Sequence, residues 1–228
     1  MKSRTARALA AALLAAVLTS SARAAEPGPG VPADPEPVVA FTASARISAA
    51  FPMGSVLSDP ASGPLLISEL VALSIPIQAD VGVTVHRRWF VGAYAQYAWS
   101  FLQVGQCKVG QECSVTGLRV GVEATYAFGD HGGPWAGLGT GWEWMFTSIS
   151  SPTFTREVDV SGWEFANVQG GWDVEVSPRW KVGPWFSVSV GEFSRATLSG
   201  GGTTIEQNIS NTAVHGWLQF GVRGTFGP

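Results

Sequence analysis

The stretch Trp89-Phe-Val-Gly-Ala-Tyr-Ala-Gln-Tyr-Ala-Trp-Ser-Phe101 decides the fold. Its odd positions, Trp89, Val91, Ala93, Ala95, Tyr97, Trp99 and Phe101, are apolar throughout. Its even positions alternate small, polar and aromatic residues: Phe90, Gly92, Tyr94, Gln96, Ala98 and Ser100. Side chains of a β-strand leave opposite faces in turn, so one face of this segment is continuously greasy and is bounded by aromatics. A run of about 10 residues with that dyad pattern is what a membrane-crossing β-strand looks like.

The pattern recurs along the chain, eight times in all. Strand one covers about Val39 to Phe51, with Arg46 on the inner face, and strand two about Leu66 to Val85, with Gln78, Asp80 and Thr84 inward. Pro76 removes a ladder donor from strand two and predicts a bulge or a loss of pairing there. The quoted segment is the third strand. The fourth points Leu118, Val120, Val122 and Tyr126 outward and Arg119 and Glu123 inward. The fifth points Leu138, Trp142, Trp144 and Phe146 outward and Glu143 inward. In the sixth, Val168, Trp172, Val174 and Val176 face out and Asn167, Gln169, Asp173 and Glu175 face in. Trp163 and Phe165 lie on the opposite parity, which predicts a bulge or a strand end above the membrane. The seventh strand presents Val182, Phe186, Val188 and Val190. The last carries Val214, Leu218, Phe220, Val222 and Phe226 outward, with His215, Gln219 and Arg223 inward. The expected fold is all-β, an eight-stranded antiparallel up-and-down transmembrane barrel.

The segments before the first strand have other jobs. Lys2, Arg4 and Arg7 precede an apolar run, Leu9 to Leu18, and Ala22-Arg23-Ala24 completes a secretory signal peptide over residues 1–24. The Pro- and Gly-rich stretch 25–37 reads as a flexible leader, and 38–228 as the barrel. Cleavage removes four of the chain's 14 Lys and Arg and none of its 17 Asp and Glu. The resulting acidic excess argues against nucleic acid as a partner. Only Lys108 and Lys181 remain as lysines, both in connections, so the strands are nearly bare of the charge that a water-soluble barrel carries.

Connections alternate long and short. The long ones, near residues 52–65, 102–115, 147–160 and 195–211, are expected outside, and the short ones in the periplasm. Cys107 and Cys113 share one long connection, and in an exported chain such a pair is expected to form a disulfide. Two cysteines with no nearby His are too few for a metal, and no cofactor is expected. The inward charges are Arg46, Asp80, Arg119, Glu123, Glu143, Asp173, Glu175 and Arg223. Eight strands enclose a space that side chains just fill, so these charges are expected to pair as an internal plug. An aqueous channel of the porin kind takes about 16 strands. Trp89, Trp99, Trp142, Trp144, Trp180 and Trp185 stand near strand ends and are expected in interface girdles.

The signal peptide, the eight amphipathic strands, the alternating loop lengths and the terminal Phe220-Gly-Val-Arg-Gly-Thr-Phe226 together resemble the small outer-membrane β-barrel proteins, of OmpA/OmpX and opacity-protein type. One departure is the ending: Gly227-Pro228 follows the last aromatic. The resemblance implies the bacterial outer membrane as location. Its implied partners are outer-membrane lipid, lipopolysaccharide and the barrel-assembly machinery, with the protein working as a monomer. It implies a non-enzymatic structural or surface-interaction role through the outer loops. The alternative it offers is a lipid A-modifying enzyme, for which His215 with Ser194 or Ser210 is the one conceivable rim pair.

Overall fold

A computed structural model describes residues 39–59, 63–129, 131–210 and 212–227. The signal peptide and the leader expected from the sequence lie outside the described residues. Ten strands form one antiparallel sheet: β1 (Val39–Asp59), β2 (Gly63–Leu66), β3 (Val71–Val85), β4 (Trp89–Leu102), β5 (Glu112–Ala127), β6 (Gly132–Ser150), β7 (Thr155–Ser177), β8 (Trp180–Gly200), β9 (Thr203–Asn208) and β10 (Val214–Phe226). β10 pairs with β1 on one side and β8 on the other, which closes a ring through β3, β4, β5, β6 and β7. Closure leaves no open edge within the ring, the condition for burying backbone in lipid. Eight ring strands correspond to the eight periodic segments.

The greasy faces point out. Trp89, Val91, Trp99 and Phe101 are exposed on β4, and Phe90, Tyr94 and Gln96 are buried. Pro76 behaves as its missing donor dictates. Pairing of β3 with β1 stops after Ile47↔Ile77 and resumes at Ala50↔Ser74 in the same register, whereas pairing with β4 runs unbroken through Pro76↔Ala98. One neighbour is lost locally and no bulge forms.

Two segments depart from the sequence reading. The strands run far past the membrane on the outer side. β6 and β7 pair up to Ser150↔Thr155, leaving a short tip where a long polar loop is expected. Likewise β1 continues to Asp59 and turns back as β2, with Asp59 opposite Gly63. Ser-, Thr- and Gly-rich strands in water need no greasy face, so the dyad signal disappears there. The second departure is Leu66 to Leu70, expected as strand. Residues Ile67–Leu70 form a single helical turn, α1. Four-residue spacing puts Ile67 and Val71 on one side, and both are buried in an apolar cluster with Val56, Phe193 and Trp217.

β7 contains the bulge that its sequence foretells. Glu164 is opposite Gly141 and Asn167 opposite Gly139, so Phe165 and Ala166 together face the single residue Thr140. Both side chains are exposed, and the inward parity switches from even to odd positions.

Candidate functional site

Aromatic residues ring the outside at two levels. At the end of the barrel holding the short turns, Trp89 packs on Tyr126, Tyr126 on Phe128, and Trp180 on Phe226, with ring centroids 4.8, 5.2 and 5.2 Å apart. At the other level Tyr97 meets Trp99 at 4.9 Å, and Trp142 meets Trp144 and Trp163 at 6.4 and 5.9 Å. Trp89 to Trp99 spans ten residues, about 34 Å along a strand, or about 25 Å of height at barrel tilt, which matches an outer-membrane hydrocarbon band.

Between these levels the interior is a network centred on two arginines. Arg46 donates through Nε to Asp80 Oδ2 at 2.8 Å and through Nη2 to Glu123 Oε1 at 2.6 Å, while its Nη1 reaches Gln169. Gln169 Nε2 returns to Glu123 Oε2 at 2.8 Å, and Gln78 Nε2 and Ser44 Oγ complete Asp80 at 2.6 and 2.9 Å. The guanidinium lies over Trp185 and Trp135, 5.1 and 5.8 Å from the ring centroids. A planar fork that serves two carboxylates and an amide at once is what Arg offers and Lys does not. Arg223 bonds Asp173 and stacks 3.6 Å above Trp135.

Nearer the outer side, Arg119 donates Nε to Glu143 Oε2 at 2.7 Å and lies 3.0 Å from Glu164 Oε2 through Nη1. Tyr94 donates its hydroxyl to Glu164 Oε1 at 2.8 Å. His215 Nε2 bonds the other oxygen of Glu143, and its ring stacks on Phe193 with centroids 4.0 Å apart. Glycines make room for this layer: a Cβ on Gly121 or Gly141 would sit 2.6 Å from Tyr94. Above it the interior turns apolar, with Met145, Phe193, Trp217 and Val115 beneath α1. A cavity against Arg119, Gln96, Phe193 and Trp217 measures about 30 Å³, room for about one water molecule.

Cys107 and Cys113 are joined by a disulfide. The segment just before the bridge supplies the end of α1 with donors: Gln103 Nε2 bonds the Ser68 carbonyl at 3.0 Å and Gln106 Nε2 the Glu69 carbonyl at 2.9 Å. Helix-terminal carbonyls need such partners.

Of the inward charges read from sequence, the structure brings together Arg46, Asp80 and Glu123, then Arg119 and Glu143, then Arg223 and Asp173. Glu175 is a correction. It lies near the end of β7, its side chain 31% exposed and 3.5 Å from His131. The eighth buried charge is Glu164, at 1% exposure. Its even position on the first half of β7 carries the signal, once Trp163 and Phe165 are taken as outward. Trp185 is also corrected: it is buried under Arg46, in parity with Ser187 and Ser189, and belongs to no girdle. Among the described residues no group of three His, Cys, Asp or Glu is arranged to hold a metal ion.

A closed ring of strands with a lipid-facing apolar belt, two aromatic levels and a charged interior defines a transmembrane β-barrel of the bacterial outer membrane. No protein-family model matches the sequence, and no curated protein matches it. Solved structures do. The outer membrane protein OprG from Pseudomonas aeruginosa superposes with a TM-score of 0.53 at 11% identity, covering 83% of this chain and 95% of that one. The outer membrane protein AlkL gives 0.47 at 13% over 90% and 97%, and Ail from Yersinia pestis 0.43 at 11% over 80% and 97%. At such identities the likeness concerns fold, and OprG carries it. The chain folds as a small eight-stranded outer-membrane β-barrel.

Proposed function

We propose that this barrel is a plugged, non-enzymatic outer-membrane protein that acts through what it holds outside the membrane. The observation that carries the reading is the contrast between its two ends of structure. The interior is occupied by three arginines, five carboxylates and stacked tryptophans. The outer ends of β6, β7 and β8 with β9 continue as a paired sheet beyond the girdle. Lipid and lipopolysaccharide are its surroundings, and the outer sheet is its working surface.

The lipid A enzyme reading needs a histidine on the rim facing lipid. His215 is 2% exposed, turned into the barrel, bound to Glu143 and covered by Phe193. Lipid A from cells with and without the protein tests the choice. Identical profiles are expected. A modification that disappears in His215→Ala would overturn the non-enzymatic reading.

A further inference from the structure

The two rims of the barrel carry opposite charge. At the end of the short turns the described residues supply Arg87, Arg88, Arg179 and Lys181 against Glu175, which lies 3.5 Å from His131. At the end of the long connections Glu69, Glu112, Glu157, Asp159 and Glu206 outnumber Lys108, Arg156 and Arg195. One side of the membrane therefore meets a basic rim and the other an acidic one. This division belongs to the surface and not to the plug, whose arginines are buried with their acids.

Two of the basic residues share a sequence step, Arg88-Trp89 and Arg179-Trp180. Both tryptophans are exposed and belong to the aromatic level at the short turns, where Trp89 packs on Tyr126 and Trp180 on Phe226. An indole settles at the boundary between hydrocarbon and headgroups. Each arginine is exposed and stands one residue, about 3 Å, further from the hydrocarbon, at the level of the phosphates. The steps follow the β3–β4 and β7–β8 turns, on opposite sides of the ring, so no single headgroup reaches both. The first turn holds His86 and Arg87 in the left-handed region, at φ 49° and 58°, with the Arg88 N–H donating to the Val85 carbonyl at 3.2 Å. Turns of this shape ordinarily take Asn-Gly, yet the chain keeps an imidazole and a guanidinium there against the conformational cost.

We propose that each Arg-Trp step is a headgroup site for an anionic phospholipid of the leaflet around the short turns. The guanidinium of Arg88 or Arg179 takes the phosphate, whose oxygens match its planar fork of donors. The indole of Trp89 or Trp180 lies against the glycerol and the first methylenes of the acyl chains. The sign of the rims selects this leaflet, since the phosphates of lipopolysaccharide on the other side would meet the acidic rim. The proposal goes beyond the surface-interaction reading above, and its failure would leave the lipid A comparison unaffected.

The test uses the full mature chain folded in detergent micelles and mixed with equimolar phosphatidylglycerol and phosphatidylcholine. Native mass spectrometry counts the lipids retained. Phosphatidylglycerol is expected to be held at least about tenfold better, one molecule at each step, the effect of a charge-assisted hydrogen bond. Arg88→Gln or Arg179→Gln, both at exposed positions, should remove one site, and the double variant should remove the preference while the protein stays folded by gel shift. In the parent protein the preference should fade as ammonium acetate rises to about 1 M. Lys108→Gln with Arg156→Gln, at the acidic rim, should leave it unchanged. Four results would overturn the proposal: equal retention of the two lipids; a preference that survives the double variant or high salt; the same loss from Lys108→Gln with Arg156→Gln; or displacement of the lipid by equimolar glycerol phosphate, showing an anion site that needs no membrane.

Discussion

Glu164 and Arg119 meet at 3.0 Å inside the barrel, the carboxylate delivered there by a strand that has just changed its parity. Arg119 holds Glu143 as well, so one guanidinium neutralises two buried acids. Removing it leaves Glu164 buried with only the Tyr94 hydroxyl, and Glu143 with only His215, as partners.

Arg119→Met is therefore expected to cost about 3–5 kcal/mol, the range for breaking a buried ion pair from one side. Urea unfolding in lipid vesicles, followed by tryptophan fluorescence, measures it. Arg119→Met with Glu143→Gln and Glu164→Gln should recover much of the loss. A single variant as stable as the parent would mean that the acids are hydrated and the plug is wet.

Deleting Ala166 is expected to be tolerated. Phe165 and Ala166 share one opposing residue, Thr140 on β6, and Glu164 and Asn167 already face inward on either side. Excision leaves a regular strand with both side chains still inside. Deleting Val188 from the regular middle of β8 should instead turn one half of the strand inside out. Heat-modifiable migration in SDS gels distinguishes the two: Ala166-deleted protein should retain a compact form and Val188-deleted protein should not.

Breaking the disulfide should act on α1. Replacing Cys107 and Cys113 by Ser is expected to cost about 2 kcal/mol of local stability from loop closure, and to release Gln106 from the Glu69 carbonyl. Hydrogen exchange in residues 67–71 should quicken while the ring strands keep their protection. Unchanged exchange there would show that the loop keeps its place without the bridge.

The ring was legible because lipid enforces one rule at every second position, and Arg46, Asp80, Arg119 and Glu123 announce themselves as charges on the polar side of that rule. The rule ends where the membrane ends. Past Trp163 and Phe101 the outer face meets water instead of lipid, so β2, β9 and the outer ends of β6, β7 and β8 read as loop, although Val160 and Ala196 stay buried on the inner face. Glu175 has inward parity, yet it lies where the barrel opens and its carboxylate reaches solvent. Glu164 was hidden by the bulge, since counting back by twos from Asn167 turns it toward lipid. Trp185 shows the opposite fault: position near a strand end points to a girdle, whereas the parity of its neighbours Ser187 and Ser189 points inside. Which acid meets which arginine depends on the stagger of the ring, and no single strand contains that information.

Planar-bilayer recording tests the plugged barrel most directly. With Arg46, Arg119 and Arg223 bridging the interior carboxylates, the folded protein should insert and give no steady conductance above baseline. Arg46→Ala together with Asp80→Ala should begin to admit ions if that layer is the seal. A large, steady and reproducible conductance from the unmodified protein would show a water-filled lumen and contradict the plug.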